Sequence, residues 1–121
     1  MPRETAKDQN AYLYDMLESA RVIRRYMEGV TFDQFWENSE KRDAVALRIA
    51  TIGDAARHAT KATESAIPAV SFRNIRGMRN RIAHDYGKVD FREVWSVTQQ
   101  DIEPLIAALE AYFRQQGLLP P

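Results

Sequence analysis

Cysteine is absent from these 121 residues. That excludes a disulfide framework and thiolate metal sites. No run of eighteen apolar residues occurs anywhere in the chain, so no segment reads as a membrane span. The opening "MPRETAKDQN" has no apolar stretch of the kind a secretory signal needs. The expectation is a cytoplasmic protein without membrane attachment. Histidine is scarce, at two residues, and net charge is zero. A uniformly basic nucleic-acid binder is therefore excluded, and no long stretch of alternating polarity marks a strand.

The zero net charge hides a pattern. From Ser71 to Arg92 six Arg and Lys face two Asp, a local balance of +4. From Glu93 onward the balance is −3, and the first seventy residues carry −1. The basic segment is arginine-rich, and a guanidinium suits bidentate contact with phosphate. Charge alone leaves a solvated helix face as an equal reading.

Apolar spacing points to helices throughout. Leu13, Met16, Leu17, Ala20, Ile23 and Met27 form one face of a helix of about six turns that ends near Gly29. Thr31 and Gln34 stand in capping-box positions before a short helix. A second long helix is expected from Ser39 to Thr63, with the stripe Val45, Ile49, Ile52, Ala56 and Ala59. Its small residues allow a neighbour to approach closely. Pro68 breaks the pattern. Ser71 caps a third helix through Ile75, Met78 and Ile82, expected to reach Gly87. Asp90 and Glu93 are expected to form a second capping box that opens a fourth, with Pro104 predicting a kink or brief break inside it. The fold class is all-α: one domain over 1–121, an antiparallel up-and-down bundle of four helices with a short extra helix.

Within the third helix, "MRNRIAHDYG" (78–87) crowds polar groups together. On a wheel of about 100° per residue with Ile75 at zero, Arg79 falls near +40°, Tyr86 near +20° and His84 near 180°. Arg79 is thus aimed at the core or an interface and needs an anionic partner. Residues five apart do not share a helical face. Either the helix loosens before His84, or Arg79 and His84 meet across a symmetric interface.

Arg79, His84 and Tyr86 together spell R-x4-H-x-Y. The pattern resembles the signature of the HEPN superfamily, and of the HepT-like ribonuclease toxins within it. "IGDAA" (52–56), "IRGMRNRIAHDYGKVDFREVW" (75–95) and "DIEPL" (101–105) are similar to that family too, and the likeness runs from about Asn10 to Phe113. It implies a HEPN-like bundle and a metal-independent endoribonuclease with no cofactor. It also implies a homodimer whose two motifs face each other. The implied partner is a nucleotidyltransferase-fold antitoxin that silences the toxin by adding AMP to Tyr86.

The residue chemistry suits that reading. RNA cleavage through the 2′-hydroxyl needs a base active near neutral pH, which His84 supplies. It also needs fixed positive charge at the phosphorus, which Arg79 supplies. Tyr86 donates to phosphate or orients His84. Asn80 and Arg81 are further candidates for phosphate contact, Arg81 being equally readable as a surface charge. Asp54 either holds Arg79 or His84 in place or is ordinary helix polarity. Asp85 and Asp90 are too isolated to form the carboxylate cluster of a magnesium nuclease. His58 reads as structural or surface. The alternative function is a non-catalytic HEPN module that partners a small nucleotidyltransferase as a scaffold.

Overall fold

The computed structural model describes residues 5–84 and 88–118, with only the backbone described at His84. Among them eight helices follow one another: α1 (Ala6–Met27), α2 (Phe32–Glu37), α3 (Ser39–Ala56), α4 (Lys61–Ala66), α5 (Phe72–Arg76), α6 (Met78–Ile82), α7 (Phe91–Gln100) and α8 (Ile102–Gln115). Between α6 and α7 lie two short strands, β1 (Ala83–His84) and β2 (Lys88–Val89), paired antiparallel. The chain is an all-α, HEPN-like bundle. Helix α1 packs on α3 and α8, while α3 also packs on α5, α6 and α7.

Local signals set most boundaries. Thr5 caps α1, and Gly29, in the left-handed region at φ 69, lies just past its end. Thr31 and Gln34 form the reciprocal capping box expected at α2. The expected break near Pro104 is present: α7 stops at Gln100 and α8 starts at Ile102. Pro104 then occupies the first turn of α8, where a missing N–H costs no helical hydrogen bond. The expected stripe residues Leu13, Ile49, Ile52, Leu109 and Phe113 all lie in one core, each at most 1% exposed.

Two helices are shorter than their periodicity predicts. The second long helix ends at Ala56 rather than Thr63. Thr60 caps the separate helix α4 with its own hydroxyl, and the buried Gln9 amide holds the turn between them. Gln9 Nε2 donates to the His58 carbonyl at 2.8 Å, and its Oε1 accepts from the Thr60 N–H at 2.9 Å and the Thr63 hydroxyl at 2.7 Å. These bonds satisfy an amide that would be costly to bury unpaired. His58 is a surface residue whose exposed ring stacks on Tyr12 at 4.4 Å, within the structural or surface role expected of it.

The third helix is two helices and stops early. Gly77 ends α5, its N–H bonding back to the Arg73 carbonyl. Helix α6 begins afresh at Met78 and ends at Ile82, five residues short of Gly87. The Ile82 carbonyl, which a continued helix would give to position 86, accepts instead from the Asp90 N–H at 2.6 Å. This bond continues the register of the β1–β2 ladder, in which Ala83 faces Val89 and His84 faces Lys88.

A partly buried ion pair clamps α1 to α8. Arg21 Nη2 lies 2.8 Å from Glu110 Oε2, and Arg21 Nε donates to the same oxygen. The Arg21 hydrogen bond, supported by the charges of Arg21, Arg114 and Arg24, holds the Glu110 carboxyl below the ordinary carboxylate range despite its burial.

Candidate ribonuclease site

Close backbone packing builds the site. Gly53 faces the α5–α6 junction, where an added Cβ would meet the Ile75 carbonyl oxygen at 3.3 Å and the Arg79 nitrogen at 3.7 Å. The close neighbour expected beside the small residues of the α3 stripe is met here at Gly53, a residue outside that stripe. The next residue, Asp54, is thereby carried up to α6. Its Oδ1 lies 3.5 Å from Arg79 Nη1.

That pair is loose. The Arg79 side chain is 60% exposed and that of Asp54 52%. Water screens an ion pair at such a site, so it contributes little to stability. The pair orients Arg79 without neutralising it by burial. Of the two places the wheel allowed for Arg79, the core of its own chain is therefore corrected. The wheel ran one phase through residues 72–86, but Gly77 interrupts it. In the separate helix α6 the buried positions are Met78 and Ile82, and Arg79 faces solvent.

The helix does loosen before His84, one of the two alternatives the sequence left open. Ala83 leaves helical geometry at φ −112, ψ 110, and His84 is the second residue of β1, paired with Lys88 of β2. Arg79 and His84 thus sit on different local structures, and the five-residue spacing no longer places them on opposite helical faces. Asn80 is exposed beside Arg79. Tyr86 and Asp85 lie outside the described residues.

Arg81 is held differently. Its Nε donates to Glu93 Oε2 and its Nη1 to Asp101 Oδ2, both at 3.2 Å. One guanidinium joins α6 to the start of α7 and to the α7–α8 break. Asp90 explains why Glu93 is available. Asp90 caps α7 by accepting from the Arg92 and Glu93 N–H groups, while its own N–H is taken by Ile82. The second capping box is thus only half formed: Glu93 makes no bond back to Asp90 and turns to Arg81.

An open cleft of about 330 Å³ adjoins Arg79. Ala46, Leu47 and Ala50 of α3 form one wall and Ile82, Ala83 and Val89 the other. Leu47 is 68% exposed at the edge of this cleft. Among the described residues no three His, Asp or Glu side chains are grouped as a cation site.

Sequence reasoning missed the partners of Arg81 and a cluster of rings on α2 and α7. The cluster did carry a signal. Phe32 and Trp36, and again Phe91 and Trp95, stand four residues apart at the starts of capped helices. That spacing puts each pair on one helical face.

An all-α bundle that presents an exposed, carboxylate-oriented arginine five residues before a histidine at a helix exit is a HEPN-type domain. The sequence profile of the family described as "Ribonuclease HepT-like" matches residues 16–112, and the chain belongs to that family. Relatives agree along most of its length. The chain is 28% identical over 104 residues to "Putative RNase MJ1380" of Methanocaldococcus jannaschii, covering 86% of this chain and 95% of the relative. It is 29% identical over 96 residues to "Putative RNase MJ1216" of the same organism, covering 79% of each. It is 26% identical over 99 residues to "Probable ribonuclease HepT" of Thermococcus cleftensis, covering 82% of this chain and 90% of the relative. No solved structure matches the chain significantly.

Proposed function

We propose that this protein is an endoribonuclease that cleaves RNA through its own 2′-hydroxyl without a metal ion, and that it is the toxin of a toxin–antitoxin pair. The observation that carries the reading is the Asp54-oriented, solvent-facing guanidinium of Arg79 beside the helix exit that leads to His84. Family membership and the relatives' names support it. In this mechanism His84 takes the 2′-hydroxyl proton as O2′ attacks phosphorus. Arg79 stabilises the charge that grows on the non-bridging oxygens. The bond to the 5′-oxygen breaks and that oxygen gains a proton, leaving a 2′,3′-cyclic phosphate and a 5′-hydroxyl.

The purified protein incubated with total RNA tests this. Cleavage should persist in EDTA and fall about 10²–10³-fold in Arg79→Ala, by analogy with removal of an oxyanion donor. His84→Ala should lose it as well. Cleavage abolished by chelation and restored by magnesium would overturn the mechanism. Intact RNA with every preparation would favour the scaffold reading.

Silencing follows the same chemistry. A nucleotidyltransferase partner would direct the Tyr86 phenolic oxygen onto the α-phosphorus of ATP, with loss of its proton and release of pyrophosphate. The attached phosphate would pair with Arg79, and the adenine would fill space needed by RNA. Mass spectrometry of the protein co-expressed with its partner should find adenylyl on Tyr86. An unmodified Tyr86 in a fully silenced complex would refute this step.

A further inference from the structure

Two arginines near the site have an unusual environment. Arg42 of α3 lies over the Phe91 ring at 4.6 Å and the Trp36 ring at 5.7 Å. Arg92 of α7 lies over Trp36 at 5.2 Å and Phe32 at 5.6 Å. Neither has a carboxylate partner among the described residues. The Nε of Arg42 is buried without a hydrogen-bond partner. Stability alone does not account for all of this. The buried Phe35, packed on Trp95 at 5.5 Å, already anchors α2 to α7. Trp36 stacks on Phe32 at 5.6 Å and still keeps 37% of its surface open.

We propose that Trp36, Arg42 and Arg92 form a subsite for an unpaired RNA strand, in which a base stacks on the Trp36 face and the arginines meet the adjoining phosphates. The inference rests on the ribonuclease reading for its substrate class. Three observations favour RNA as the occupant. Guanidiniums without a carboxylate partner among the described residues, gathered at the exposed Trp36 ring, match the two chemistries that single strands present, anionic backbone and π-faced base. Phe91, under Arg42, follows Val89 by two residues, and β2 pairs with β1 at His84. Chain reach and strand pairing place Phe91 within about 16 Å of the His84 backbone, a few nucleotides along a strand. Finally, Arg92 is exposed and, among the described residues, its guanidinium is held by rings alone, so it can give up the Trp36 face to a base and turn to a phosphate. Stacking of this kind is tolerant of sequence, because every base has a π-face. Paired strands keep their bases inside and would be bound less well.

Trp95→Phe leaves Trp36 as the only tryptophan and makes the test direct. The probe is a 2′-O-methyl RNA of about twelve nucleotides, within the span of common single-strand sites; it cannot be cleaved through a 2′-hydroxyl. Trp36 emission should be quenched saturably by the single strand and much less by its duplex. By anisotropy with the labelled strand, Trp36→Ala and Arg92→Ala in the otherwise native chain should each weaken binding about five- to tenfold. Arg92→Ala should also reduce the slope of log affinity against log salt by about 0.7, the loss of one phosphate contact. Because Arg92 is exposed, its variant keeps the test valid if Trp36→Ala unfolds. Emission that stays constant while anisotropy saturates would overturn the proposal, as would full affinity in Arg92→Ala. The same titration on His84→Ala separates the two readings: quenching there, or in a wild-type protein that cuts no RNA, supports the subsite whatever becomes of the reaction.

Discussion

Arg79 and Arg81 leave the same five-residue helix two positions apart and meet opposite environments. Arg81 is gripped by Glu93 and Asp101, from two different parts of the chain. Among the described residues Arg79 has one distant carboxylate, and its side chain is 60% exposed. Their sequence context, "MRNRIAH", hardly separates them. The physical difference predicts a clean division of effects. Arg81→Ala breaks two half-exposed ion pairs and leaves two carboxylates unopposed, which should destabilise the fold by about 1 kcal/mol after allowance for solvent screening. Arg79→Ala should change stability by less than about 0.5 kcal/mol, as for an exposed surface residue, while removing cleavage. Urea denaturation midpoints of the two variants, measured beside wild type, check this. Equal destabilisation by both would make Arg79 a structural residue and remove the main support for its role at phosphorus.

At the scale of elements, what was legible depended on whether the signal was local. The caps at Thr31 and Asp90, the end of α1 at Gly29 and the break ahead of Pro104 each follow from residues within one turn. The apolar stripes likewise gave the core, because burial of one face is what holds a short helix in place. Two helix ends were not legible, since long-range hydrogen bonds set them. The Gln9 amide reaches about fifty positions along the chain to fix the α3–α4 turn, and the Asp90 N–H takes the Ile82 carbonyl to end α6. The candidate site inherits both kinds. Its residue types stand in the motif, while the close approach at Gly53 that brings Asp54 to Arg79 is a backbone contact between distant segments. That Arg79 faces outward was hidden by Gly77. A glycine in a helical pattern signals lower helix propensity but does not say that the wheel must restart there.

For the whole molecule, the cleft beside Arg79 raises the question of a second copy. Leu47 is largely exposed, with Ala46 and Ala50 beside it and Ile82 and Val89 across the cleft. A two-fold axis here would bury the same surface on both copies, so each apolar contact would count twice. It would also gather two +4 segments around one cleft, concentrating charge for an anionic strand. Burying a leucine stabilises by about 1.5–3 kcal/mol, so the two Leu47 side chains together would make a substantial part of a micromolar dimer, which needs about 8 kcal/mol in all. Leu47→Glu should therefore separate the subunits, since it puts two like charges into a shared apolar contact. The fold itself should be spared, because Leu47 is exposed in the single chain. Sedimentation velocity at low micromolar concentration should show a dimer for wild type and a folded monomer for Leu47→Glu. RNA cleavage should fall with the dimer if the strand lies across both copies. A wild-type monomer under these conditions, or a Leu47→Glu dimer as tight as wild type, would exclude this face as the interface. Full cleavage by a monomeric Leu47→Glu would instead confine the reaction to a single chain, with the loosened exit from α6 sufficient to bring His84 to Arg79.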